Sequence, residues 1–335
     1  MKNKPVSGVA DVLPTLRSRV LAALSPEVPE GDVKSHFSRD GRFALLTDAS
    51  DATDCSNEVY VEFPNSSSLC LPLEIYVGRR RVIAGIWRTG VWANGQKLNA
   101  TGSWQTLCEE INADGAFVER LLPLAGGRSL SRRLFVAYKE RLFLNVDVLY
   151  GSDAERDTAS PTTVLRIRSA LPLDATEMFA TQIDSSKAVA FCDVDSRPFA
   201  RVFPLSLSER TSDATSGTFA VKTTYGGVLE TSARRTGGSV CVATLFDWNA
   251  NRATRPVSVG VATVGEDLRA VDDGRAVGRQ ILLGRERYVL YVSTSRRPAI
   301  RSILSRNLLS DFMFGKFFVG RGVEPLIDVE IPDDV

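Results

Sequence analysis

From about residue 33 onward, apolar and polar positions alternate with period two in short runs rich in β-branched and aromatic residues. Clusters of Gly, Pro, Asp, Asn and Ser separate the runs, the pattern of strands joined by turns. Strands are predicted at 42–48, 58–63, 73–77, 81–87, 116–124, 163–171, 188–194, 200–207, 218–225, 239–248, 257–264, 279–284 and 287–293, with a closing pair within 312–331. Helical spacing appears once, where Leu13, Leu16, Val20, Leu21 and Leu24 predict a helix over 11–25 that ends at Ser25-Pro26. No long helix alternates with the strands, which disfavours a parallel α/β sheet. The expected fold is all-β, a large, mostly antiparallel β-sandwich with a short N-terminal helix.

The most strongly patterned stretch is RSLSRRLFVAYKERLFLNVDVLYG, residues 128–151. With Lys139 and Glu140 at the tip of a hairpin, Ala137 pairs with Leu142 and Phe135 with Leu144 on one face. The other face pairs Val136 with Phe143, Leu134 with Asn145 and Arg132 with Asp147. Both faces are partly apolar, so the hairpin is expected to be covered on two sides. Arg132 and Asp147 then form a structural ion pair contributing roughly 0.2–1 kcal/mol.

Residues 1–32 read as the helix and a lead-in, and 33–335 as the sandwich. The polar stretch 151–163 is expected to be a loop or a junction between two halves. Among 335 residues, 41 basic and 40 acidic side chains give a net charge of +1, which removes the electrostatic case for a nucleic-acid partner. No run of about 18 apolar residues predicts a membrane span. The N-terminus is broken by Asp11, Pro14, Arg17 and Arg19 and has no secretory pattern, so the location expected is cytoplasmic. Five cysteines without a CxxC pair read as reduced, mostly buried thiols. The arginine doublets, Arg234 with Arg235 among them, read as strand-end and loop residues balanced by neighbouring acids, with a polyanion track as the alternative.

Chemistry is constrained mainly by absence. The single histidine, His36, excludes sites that need two, and no GxSxG elbow accompanies it. No GxGxxG or Walker sequence occurs, so neither a cofactor nor a metal is expected. Glu109, Glu110 and Glu119 are the carboxylates an acid–base mechanism would need; they read as surface acids, with adjacent Glu109 and Glu110 on opposite faces. Trp87, Trp92 and Trp104 lie close together among glycines and asparagines, as aromatic platforms for pyranose rings do. They are the carbohydrate-binding candidates, and core capping is the alternative.

The segment AFVERLLPLAGGRSLSRRLFVAYKERLFLNVDVLYG resembles the β-sandwich half of heparinase II/III-type polysaccharide lyases, loosely over residues 85–250. The resemblance implies a β-supersandwich and a carbohydrate context. It does not extend to the α/α toroid through which that family carries its catalytic tyrosine and histidine, so it does not imply lyase activity. The expected function is a noncatalytic module binding a glycan or a protein partner. A glycan-active enzyme and an architectural assembly protein are the alternatives.

Overall fold

In a computed structural model, the described residues are 15–24, 35–48, 56–152, 163–174, 179–183, 188–206, 215–222, 227–297 and 299–330. The first sheet contains, in spatial order, His36–Phe37 (β1), Phe43–Thr47 (β2), Glu58–Glu62 (β3), Cys70–Val77 (β4), Arg80–Ala93 (β5), Val164–Pro172 (β11), Val228–Thr236 (β16) and Thr215–Lys222 (β15); Gln96–Lys97 (β6) is added to β5. The second contains Phe179–Ile183 (β12), Ala188–Cys192 (β13), Pro198–Pro204 (β14), Val240–Asp247 (β17), Leu142–Tyr150 (β10), Arg128–Ala137 (β9), Gly115–Leu124 (β8) and Gln105–Ile111 (β7). The third contains Val257–Val261 (β18), Ala276–Leu283 (β21), Glu286–Ser293 (β22), Phe312–Phe318 (β25) and Gly322–Val329 (β26). A small fourth contains Arg269–Ala270 (β20), Val264–Glu266 (β19), Arg301–Ile303 (β23) and Arg306–Leu308 (β24). Every strand pair among the described residues is antiparallel. The fold is an all-β sandwich.

The sheets stack as layers. Val59, Leu73 and Ile83 of the first sheet pack on Val118, Leu134 and Phe143 of the second. Phe135, Leu144 and Val146, on the reverse side of the second sheet, pack on Tyr288, Leu290 and Phe314 of the third. Val289, Tyr291 and Met313 then meet Val264 and Ile303 of the fourth. Each strand turns alternate residues to opposite faces, so the central strands of the second sheet, covered on both sides, must place an apolar or a paired polar side chain at nearly every position. Accordingly β10 and β17 are buried along their whole length.

The helix, Leu16–Leu24 (α1), lays Leu16, Val20 and Leu24 on Phe43, Leu45 and Tyr60, on the outward side of the first sheet. A nine-residue helix is marginal by itself, and here polar anchors complement the packing. The hydroxyl of Thr15 accepts from Ser18 N at 3.2 Å, an N-cap. The buried Glu74 carboxylate accepts from Leu16 N at 3.3 Å and Arg17 N at 3.1 Å, where the helix dipole favours negative charge. Residues 11–14 and 25 of the expected helix, most of the loop expected at 151–163 and Cys55 lie outside the described residues.

The hairpin pairs Ala137 with Leu142, Val136 with Phe143, Phe135 with Leu144, Leu134 with Asn145 and Arg132 with Asp147. Arg132 Nε donates to Asp147 Oδ1 at 2.7 Å and Nη2 to Oδ2 at 2.9 Å. Both side chains are fully buried, so the small contribution expected of a cross-strand pair is corrected: breaking it should cost several times more. A second pair, Arg133 with Glu119 at 3.0 Å, is also buried and is carried on the opposite side of the same sheet. This corrects the reading of Glu119 as a surface acid, because the third layer covers the face it occupies.

Candidate functional site

The outward face of the first sheet has two halves. Under α1 it is acidic: Glu58, Glu62 and Glu74 are buried, and Arg17 and Arg19 of the helix pair with Glu58 at 3.2 Å and Glu62 at 2.7 Å. Across β5, β11, β16 and β15 the face is open and basic. Arg88, Lys97, Arg166, Arg168, Lys222 and Arg234 are all exposed there. Glu230 is the facing carboxylate, accepting from Arg168 Nε at 2.8 Å and Lys222 Nζ at 2.8 Å. Burial tends to raise its pKa, but the hydrogen bonds and positive charges of Lys222 and Arg168 together outweigh burial and hold it below the ordinary glutamate value.

A cavity of about 760 Å³ runs along this face, lined by Trp92, Arg88, Arg168, Lys97, Lys222 and Glu230 among others. The indole of Trp92 lies over Gly90, where an added Cβ would meet ring carbon Cζ3 at 2.8 Å. Glycine is needed here for space. The neighbouring Arg166 guanidinium is 5.4 Å from the Trp92 ring centroid, and its backbone is the cross-strand partner of Trp92. The result is a flat aromatic platform, partly exposed and surrounded by cations.

The three tryptophans have different surroundings. Trp87 is 1% exposed, donates its indole N–H to Ser169 Oγ at 2.7 Å and has the Arg132 guanidinium 3.4 Å from its ring centroid. With its faces covered it cannot stack on a sugar, which corrects that part of the expectation. Trp104 donates to Ser68 O at 2.9 Å, meets Phe63 edge-on at 5.7 Å and packs partly buried against the core. Trp92 alone faces the open cavity. Residues 87 and 92 are an odd number of positions apart in one strand, so they point to opposite faces. That signal was readable, but the strand expected at 81–87 continues to Ala93.

The basic neighbours were harder to find. β16, VLETSARRT, has too few apolar residues to announce a strand, yet it supplies Glu230 and Arg234 to the face. The Arg234 and Arg235 doublet is divided by the strand period: Arg234 is exposed on this face, whereas Arg235 is buried and paired with Asp272 at 3.0 Å. His36 lies in β1, at the far edge of the same sheet. Among the described residues no cluster of three His, Cys, Asp or Glu side chains could hold a metal, and no helix is long and apolar enough to cross a membrane.

Cys70 also lines the cavity and is exposed, as the cross-strand partner of Arg88. Cys192 and Cys241 are buried. Burial, with help from Glu119 and Glu110, pushes the Cys108 thiol up to about 11. Alkylation near pH 8 should therefore modify Cys70 first among these four and leave Cys192 and Cys241 intact until the chain unfolds. Peptide mapping after timed labelling reads this directly, and early labelling of Cys241 would contradict the burial described.

No protein-family model matches the chain, and no curated protein matches it. Among solved structures, it is similar to the heparan sulfate lyase HepC from Pedobacter heparinus, with a TM-score of 0.52 and 10% identity over 83% of this chain. A mutant of that lyase gives a TM-score of 0.51 and 11% identity over 81% of this chain. The chain spans 45% and 44% of those two proteins. At this identity the likeness is one of fold: a partial resemblance to heparinase III, in keeping with a β-sandwich.

Proposed function

We propose that this chain is a noncatalytic β-sandwich module that holds an acidic glycan on the open basic face of its first sheet. In this reading residues 33–335 act as one β unit and residues 1–32 as its lead-in. The observation that carries it is the Trp92 ring spread over Gly90, with six basic side chains on the same face and one carboxylate between them. A pyranose ring stacks on the indole while guanidinium groups take carboxylate or sulfate oxygens in pairs. The fold likeness to an enzyme named for heparan sulfate supports a polyanionic sugar as the partner. A noncatalytic role is supported by Glu230, whose lowered pKa and two cationic partners make it a poor base for proton abstraction.

Affinity chromatography and calorimetry with heparan sulfate, hyaluronan and an uncharged glucan test the proposal. Retention is expected for the anionic chains alone and should weaken with salt. Trp92→Ala should lower affinity about tenfold or more, or about 1.4 kcal/mol, without changing the unfolding midpoint. Glu230→Gln should tighten binding, since it releases Arg168 and Lys222 from a competing anion. The native protein should show the same gain as pH falls through the lowered Glu230 value. Undiminished retention by Trp92→Ala would move the site elsewhere. Release of unsaturated products would replace the module with a lyase, and retention of acidic proteins without glycans would give the face a protein partner.

A further inference from the structure

We propose that the cavity where the end of β16 meets the turn before β21 and the start of β23 is a second binding site, for a dianionic phosphate group, separate from the basic face. It measures about 510 Å³, within the range of small-molecule pockets. Its charged walls set Arg235, Arg275, Arg297 and Arg301 against Glu266 and Asp272, an excess of two positive charges. This cavity and the one beside Trp92 share no lining residue among those described. Adjacent strand residues point to opposite faces, so Arg234 belongs to the basic face and Arg235 to this cavity.

The floor is fixed before any ligand arrives. A Cβ on Gly274 would meet Arg235 Nε at 2.7 Å, and one on Gly238, whose φ is +67°, would meet the Gly274 backbone at 3.1 Å. Two glycines therefore let the β16–β17 turn and the turn before β21 close on the Arg235 side chain. Its Nε donates to Gly237 O at 3.1 Å, and Nη2 lies 3.0 Å from Asp272 Oδ1. A guanidinium held in this way loses little further freedom on binding.

Arg301 is the residue that calls for an anion. It is 2% exposed; Nε donates to Glu266 Oε2 at 2.8 Å, and Nη1 to Tyr291 Oη at 3.1 Å and Ser293 Oγ at 2.9 Å. Its Nη2 makes no hydrogen bond among the described residues, yet it is not one of the fully enclosed atoms that lack a partner. An unused donor on a largely buried cation is unfavourable, and the cavity that Arg301 lines is where an acceptor can reach it. Glu266 also accepts from Arg275, so one carboxylate serves two arginines. Arg275 and Arg297 are exposed at the rim. A phosphate group brings two negative charges to match the excess, and guanidinium forks take its oxygens in pairs.

Calorimetry at pH 7.5 with inorganic phosphate, glucose 6-phosphate and acetate, at matched ionic strength, tests this. At least one of the two phosphates should bind saturably and weaken with salt, and acetate should bind at least about tenfold more weakly because it neutralises only one charge. Tighter binding of glucose 6-phosphate would support an esterified ligand in the site, and tighter binding of inorganic phosphate a free anion. Arg301 is buried in an ion pair, so the informative variant is Arg297→Ala at the exposed rim. It should weaken phosphate about fivefold or more with an unchanged unfolding midpoint, while Arg168→Ala, on the basic face, leaves phosphate binding intact. Absence of saturable binding by both phosphates, equal affinity for acetate, an unaffected Arg297→Ala variant, or loss of binding in Arg168→Ala would each overturn the proposal.

Discussion

Replacing Asp147 by alanine should destabilise the protein by about 3–5 kcal/mol, the range for removing one partner of a buried ion pair. Arg132 would be left fully buried, keeping the Thr89 hydroxyl as a partner at 2.7 Å and the Trp87 ring over its face. Its Nη1 already lacks a hydrogen-bond acceptor, so the site has little capacity to absorb further loss. The paired replacement of Arg132 by methionine and Asp147 by leucine should recover most of the stability, because neither charge then remains to be desolvated. Equilibrium urea unfolding of the wild type, the single variant and the double variant measures both quantities. A loss below about 1 kcal/mol in Asp147→Ala would mean that water reaches the pair and that the layers are less closely packed there.

Trp87→Ala should also cost about 3–5 kcal/mol, in sharp contrast with Trp92→Ala. The Trp87 indole is among the largest fully buried side chains, and its removal leaves a cavity between the first and second sheets, an unpaired Ser169 hydroxyl and an uncovered face on Arg132. Trp92 is only partly buried on the outward face, so its loss should change stability by about 0.5 kcal/mol or less. Unfolding midpoints measured beside glycan binding distinguish the two residues: one sets stability, the other affinity. Trp87 and Asp147 both touch Arg132, so the double variant should fall short of additivity. Strict additivity would mean that the ring and the carboxylate act on Arg132 independently.

The legible parts of the fold were local. In the 128–151 hairpin the apolar alternation and the Lys139-Glu140 turn together determine every cross-strand neighbour, and the observed pairs from Ala137–Leu142 to Arg132–Asp147 follow that register. β16 and β7 escaped notice for one physical reason. VLETSARRT has one face open to solvent, and QTLCEEI is an edge strand largely exposed on both faces, so neither needs the run of apolar residues that reveals a buried strand. Of the site, Trp92 was visible as a residue type, and its companions Arg88, Arg166, Arg168 and Lys222 were not, being spread over more than 130 positions of the chain.

The sequence by itself determined the strand class, the antiparallel register of the hairpin and, through the two-residue period, that each strand has two distinct faces. Which of those faces meets water was decided only when the sheets stacked. Alternation specifies that Arg132 and Arg133 point opposite ways, but a third layer is needed to bury both. The same period places Trp87 and Trp92 on opposite sides of β5, and only the second sheet beneath the first makes one of them core and leaves the other as a platform. Burial depends on contacts between segments far apart in sequence, and no local pattern carries that information.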